Sequence, residues 1–84
     1  MESAIRYYEM KYANNISQAF IHLIREIGQI AFGMETNNKP LLEAKVVEAS
    51  ALLHFLAHKY EIDIVKNTEV IYSKKISQFE KRRS

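Results

Sequence analysis

LLEAKVVEASALLHFLAHKYEIDI (residues 41–64) decides the fold. Leu42, Val46, Ala49, Leu53, Leu56 and Tyr60 recur at steps of 4, 3, 4, 3 and 4, which makes one stripe on a helix. Leu41, Ala44, Ala51, Leu52 and Phe55 add apolar residues on the other sides. A helix that is apolar nearly all round is buried on most faces. The stretch therefore predicts a central helix, ended by YEIDI (60–64).

Upstream, GMETNNKP (33–40) is the clearest break in a chain with two Gly and one Pro. Gly33 is expected to end a helix in a left-handed cap. Asn37 and Asn38 suit a turn, and Pro40 suits a first helical turn. Before the break, Ile16, Phe20, Leu23, Ile27, Ile30 and Met34 repeat the same steps. That stripe extends back through Tyr12, Tyr8 and Ile5, with NNIS (14–17) as a kink or restart, since Asn and Ser favour caps. Downstream, Asp63 is an expected N-cap. The helix after it carries Ile64, Thr68, Ile71 or Tyr72, Lys75 or Ile76, and Phe79 on one side. No stretch alternates with period 2 between turn signals, so no strand is predicted. The reading is all-α: one domain over residues 1–84, with three long helices and a short N-terminal one.

A chain of 84 residues buries only about 60% of the surface its unfolded form exposes. It has no cysteine and no Cys/His metal spacing to staple it. Association with further chains is the remaining route to stability, and 48% apolar content supplies surplus faces for it. The absence of cysteine is compatible with a reducing cytoplasm, the expected location. Met1 is followed by ESAIRYYEM, which has neither the basic start nor the apolar run of a signal peptide. No uncharged apolar run approaches the ~18 residues of a membrane span. The net charge of +2 is unevenly placed. Lys74, Lys75, Lys81, Arg82 and Arg83, against Glu80, put +4 on residues 74–84 and leave −2 on the rest.

Two carboxylates interrupt the apolar pattern. Glu48 falls among Leu41, Ala44, Leu52 and Phe55, and Glu26 between Ala19, Leu23 and Ile30. An ionised carboxylate in such a setting neutralises or finds a cation. Lys45 lies three residues before Glu48, with Arg25 and Lys59 as further bases. Alternatively, two acids on antiparallel helices face each other and hold a divalent cation, as Mg²⁺ takes carboxylate oxygens with retained water. His22, one turn before Glu26, reads either as a supporting partner or as packing. His54 and His58 have a metal-like spacing, but no third ligand accompanies them. Glu43 falls on another side of the helix and reads as solvated.

These segments resemble the MazG-like all-α nucleoside triphosphate pyrophosphohydrolase superfamily over residues 22–83. EIGQIAFG (26–33) is similar to the family's E-x-G-E-L-A block. KVVEASALLHFLAHKYEID (45–63) is similar to its second acidic helix, which closes in G-I-D. KKISQFEKR (74–82) is similar to its closing K-x-x-x-N-x-x-R, with Gln78 where Asn is frequent. The family's chemistry sits in E-E-x-x-E, a spacer, then E-x-x-D, four of whose five carboxylates hold Mg²⁺ on the triphosphate. Here the first motif falls on Arg25, Glu26, Ile27, Gly28 and Gln29, and the second on Lys45, Val46, Val47 and Glu48. A shifted register makes Glu48 the leading acid and Ala51 the missing Asp. The resemblance implies Glu26 and Glu48 as Mg²⁺ ligands, Lys74 and Arg82 on phosphate, and a helical bundle completed by a homodimer or higher homo-oligomer.

Two carboxylates stand where the family uses four, and two motif positions are basic. The balance therefore favours a degenerate, non-catalytic nucleotide-binding or oligomeric regulatory module. The alternative is a Mg²⁺-dependent pyrophosphohydrolase that cleaves between the α and β phosphates of a nucleotide. Nucleic-acid binding through the basic C-terminus ranks third, because no reader motif accompanies it. Its simpler reading is a solvated helix end whose charge suits the helix dipole. Tyr7, Tyr8 and Tyr12 are expected at a subunit interface, where Tyr is enriched.

Overall fold

The chain folds into four helices: α1 (Glu2–Tyr12), α2 (Ile16–Glu35), α3 (Lys39–Lys59) and α4 (Ile64–Arg83). This computed structural model describes the backbone of residues 1–83 and the side chains of residues 1–82. Among the described residues there is no strand, and no helix is long and apolar enough to cross a membrane.

Local chemistry sets each boundary. Ala13 takes a positive φ of 50° between α1 and α2. The Asn15 side chain then accepts a bond from the Gln18 N–H at 3.3 Å, so NNIS is a capped restart. Helix α2 does not stop at Gly33. It runs to Glu35, and the left-handed residue is Asn37, with φ 52°. The Asn38 N–H bonds Gly33 O at 2.9 Å and the Asn37 N–H bonds Met34 O at 3.2 Å, the pair of bonds that closes a Schellman end. Gly33 serves another purpose: a Cβ there would lie 3.3 Å from the Leu42 backbone, so it lets α2 and α3 touch. Asn38 caps α3 through the Leu41 N–H at 3.2 Å, with Pro40 in the first turn. The end of α3 repeats the Schellman device. The Ile62 N–H bonds Ala57 O at 2.8 Å and the Glu61 N–H bonds His58 O at 3.2 Å, with Glu61 at φ 55°. Asp63 caps α4 through the Lys66 N–H at 3.0 Å.

Helix α3 is central, packed along α2 and against α1. Phe55 and Leu52 are fully buried, surrounded by Ala19, Leu23, Ala49, Ala51 and Tyr8. The packed face of α2 is narrower than its apolar stripe: Ala19, Leu23, Glu26 and Gly33 are buried, while Phe20, Ile27 and Met34 stay exposed. Helix α1 is held by Tyr8, whose ring lies 6.0 Å from that of Phe55, and by an ion pair from Lys59 Nζ to Glu9 Oε1 at 2.7 Å. The tyrosines thus correct the interface expectation. Tyr8 is core and Tyr12 packs against it, and only Tyr7 faces out. Lys59 is taken by Glu9 rather than by Glu48.

Helix α4 stands apart. It packs along none of the other helices, and beyond Ile64 every described side chain on it is exposed. The radius of gyration is 15.9 Å, against about 12 Å for a compact chain of this length.

Candidate functional site

The two acids meet where α2 crosses α3. Helical spacing puts His22 and Glu26 on one face of α2, and Lys45 and Glu48 on the facing side of α3. Lys45 Nζ lies 3.2 Å from Glu26 Oε2 and 3.7 Å from Glu48 Oε2. On the other side of Glu26, His22 Nε2 lies 3.6 Å from Oε1. Tyr12 reaches over from α1, its hydroxyl 2.8 Å from His22 Nδ1. The edge of the Tyr8 ring packs on the same imidazole.

Burial divides the two acids. Glu26 is only 6% exposed, whereas the Glu48 side chain is 42% exposed. Lys45 Nζ is close to Glu26 Oε2 but off the direction that a hydrogen bond requires. Oε2 is therefore fully buried with an ionic neighbour and no aligned donor.

The electrostatics follow from this geometry. Burial pushes the Glu26 carboxyl up, but the neighbouring Glu48 carboxyl and the nearby Lys45 outweigh it, so it lies below its ordinary value. Glu48 is held above its ordinary value, first by the neighbouring Glu26 carboxyl and then by burial. The two carboxyls are therefore pushed apart in titration, Glu26 ionising before Glu48. Contact with Glu26 raises Lys45 against the cost of its own desolvation. Burial lowers His22, against the pull of Glu26. The imidazole is thus kept neutral, and Tyr12 and Glu26 face its two nitrogens.

One ligand atom each from His22, Glu26 and Glu48 lie within 4.8 Å of one another. The full set is two carboxylates, an imidazole and an ammonium. Mg²⁺ takes an octahedral shell of oxygens and keeps its waters. An imidazole, and an ammonium between the acids, do not fit that requirement, so no step through Mg²⁺ follows from this site.

Sequence reasoning placed Glu26, Glu48 and Lys45 together, and named His22 as a neighbour. It missed that Lys45 reaches across to Glu26, and that Tyr12 is the partner of His22. No local pattern signals the Tyr12–His22 contact, because it arises only when the break at residues 13–15 turns α1 back toward α2. Arg25 and Gln29, at positions of missing acids, are exposed. Lys74 and Arg82 are exposed on α4, which does not pack along α2 or α3. Helix packing within one chain therefore does not bring them to the acids. No family model, curated protein or solved structure matches the chain, so the MazG-like resemblance rests on the residues quoted above.

Proposed function

We propose that this chain is a non-catalytic helical assembly module, MazG-like in layout, in which α4 packs on a second copy of the chain. The observation that carries the reading is the uncovered α4. The accessible surface is 6804 Å², whereas a folded monomer of this mass exposes about 5,200 Å². The excess, about 1,600 Å², exceeds the roughly 800 Å² that each partner buries in a standard interface. Val65, Tyr72 and Ile76 line one side of α4, all exposed. Phe20, Ile24 and Ile27 form a matching exposed apolar row on α2. Charge favours the same pairing, because the C-terminal segment is +4 and the remainder −2.

The non-catalytic half of the reading is supported by Lys45. Its ammonium stands between the two acids, where a phosphate-bound cation would have to sit. The decisive experiment is sedimentation across micromolar to near-millimolar protein, run beside pyrophosphate release from ribo- and deoxynucleoside triphosphates with Mg²⁺ or Mn²⁺. Dimers or larger species and no release are expected. A monomer at every concentration overturns the assembly reading. Release that disappears in Glu26→Gln and Glu48→Gln overturns the non-catalytic one in favour of the hydrolase.

A further inference from the structure

The cluster at the α2–α3 crossing is poor for Mg²⁺ but carries the donors of a different ion. We infer that His22, Glu26 and Glu48 form a binding site for a divalent first-row transition metal of the Zn²⁺ class, which enters by displacing the Lys45 ammonium. This goes beyond the assembly reading and stands or falls separately from it.

Geometry comes first. Zn²⁺ binds imidazole nitrogen and carboxylate oxygen at about 2.0–2.2 Å in a tetrahedron, so its ligand atoms are about 3.4 Å apart. His22 Nε2 and Glu26 Oε1 are already 3.6 Å apart. The three ligand atoms lie within 4.8 Å of one another, so a modest rotation of the half-exposed Glu48 side chain completes the set. Two ligands come from adjacent turns of one helix and the third from its neighbour, so the backbone need not move. Three protein ligands leave a fourth position for water.

Two further observations point to an ion rather than to a simple acid cluster. Glu26 is more than nine-tenths buried, and its Oε2 has no aligned hydrogen-bond donor. Its one ionic neighbour, the Lys45 ammonium at 3.2 Å, is the group that the ion displaces, and a metal ion satisfies a buried carboxylate without directional demands. The Tyr12 hydroxyl on His22 Nδ1 is the kind of outer contact that metal-bound imidazoles carry, fixing the ring and its tautomer. In the metal-bound form Nδ1–H donates to the Tyr12 oxygen, which leaves the Nε2 lone pair for the ion. Lys45 is the built-in competitor. It sits on a flexible stem with the side chain 22% exposed, so its ammonium has a path to water when a doubly charged ion takes its place.

The test uses the metal-free full chain, with Zn²⁺ measured by equilibrium dialysis and Co²⁺ by its visible spectrum. The expected result is one Zn²⁺ per chain and a tetrahedral Co²⁺ spectrum, neither competed away by millimolar Mg²⁺. His22→Gln and Glu26→Gln should lose both signals. Tyr12→Phe should weaken binding by about tenfold or more, as loss of an outer-shell partner does. Lys45→Met, which removes the competitor, should bind at least as tightly as the natural chain. His54→Gln should change nothing, which separates this site from the two histidines of α3. Circular dichroism verifies that each variant is folded, and the Co²⁺ spectrum of the unaltered chain depends on no variant. Absence of stoichiometric Zn²⁺ in both the natural chain and Lys45→Met overturns the proposal. So does binding that survives His22→Gln and Glu26→Gln in folded protein.

Discussion

Helices α3 and α4 are 21 and 20 residues long and only residues 60–63 separate them, yet they meet opposite fates. Helix α3 contains the fully buried Phe55 and Leu52, whereas α4 has no buried residue among those described. Length and cap do not explain this, since both helices start at a side-chain cap. Apolar content around the cylinder does: α3 can be covered from two sides, while α4 offers one stripe. Helix α4 is also poor in intrinsic propensity. Ile64, Val65, Thr68, Val70, Ile71 and Ile76 are β-branched, which costs side-chain freedom in a helix. An isolated helix of this length is marginal even with good formers. The lesson is that α3 is stabilised by its own chain, whereas α4 gains little packing from it, which is why the proposed assembly turns on α4.

The largest effect should come from the region that is self-sufficient. Phe55→Ala removes the largest fully buried side chain. Such a truncation costs about 3–5 kcal/mol, much of the roughly 4–13 kcal/mol that a chain of this length possesses. Urea denaturation should show a large loss of midpoint at every protein concentration. A small loss would mean that the α1–α3 core is not the stability centre.

The next effect should come from α4 and should depend on concentration. Ile76→Asp places a charge on the exposed stripe without touching the α1–α3 core. It should cost self-association about 2 kcal/mol or more, the scale of an interface hot spot, or about thirtyfold in Kd. The helical signal of α4 should fall with it while the core still melts cooperatively. An unchanged oligomer and unchanged helicity would break the contrast between the two helices.

The hinge between the regions offers a smaller test. Glu61 closes α3 with φ 55°, a conformation that costs a residue with a Cβ about 1–2 kcal/mol. Glu61→Gly should therefore raise stability by about 1 kcal/mol, read as a higher urea midpoint with an unchanged oligomer. A loss instead would show that the Glu61 side chain contributes at the hinge.

Much of this was legible in the sequence because periodicity and caps are local. The central role of residues 41–60, the restart at Asn15, the first-turn Pro40 and the Asp63 cap all follow from neighbours within four residues. The end of α2 was misplaced because glycine has two uses. Gly33 allows close approach to Leu42, and Asn37 supplies the left-handed turn. The tyrosines were misplaced because a stripe shows which residues share a face, not which helix that face meets. The apolar side of α4 has the same ambiguity, as it would read identically whether its cover came from this chain or another. In the site, the Lys45–Glu48 contact spans one helical turn and was visible. Lys45 to Glu26 and Tyr12 to His22 are contacts between helices, and only the fold supplies them.

The smallest expected effect, a pH profile, belongs to the α2–α3 region alone. Glu26 lies below its ordinary value, so its contribution is present above the ordinary carboxylate value and is lost as pH falls through the lowered one. Glu48 lies above its ordinary value, so its contribution is present at low pH and is lost as pH rises through the raised one. The two limbs together give a maximum, with Glu26 ionised and Glu48 protonated between them. His22 adds a second acid-side loss, because its lowered value lets the unfolded chain take up the proton first. Glu48→Gln keeps a neutral side chain that can still donate to Glu26, so it should remove the alkaline limb and leave the acid one. Melting temperature against pH should then rise and level off instead of turning down. The same change should appear in the Ile76→Asp background, because neither acid lies on α4. An alkaline limb that survives Glu48→Gln, or that vanishes with Ile76→Asp alone, would place the titrating group at the assembly surface and join the two regions that the fold keeps apart.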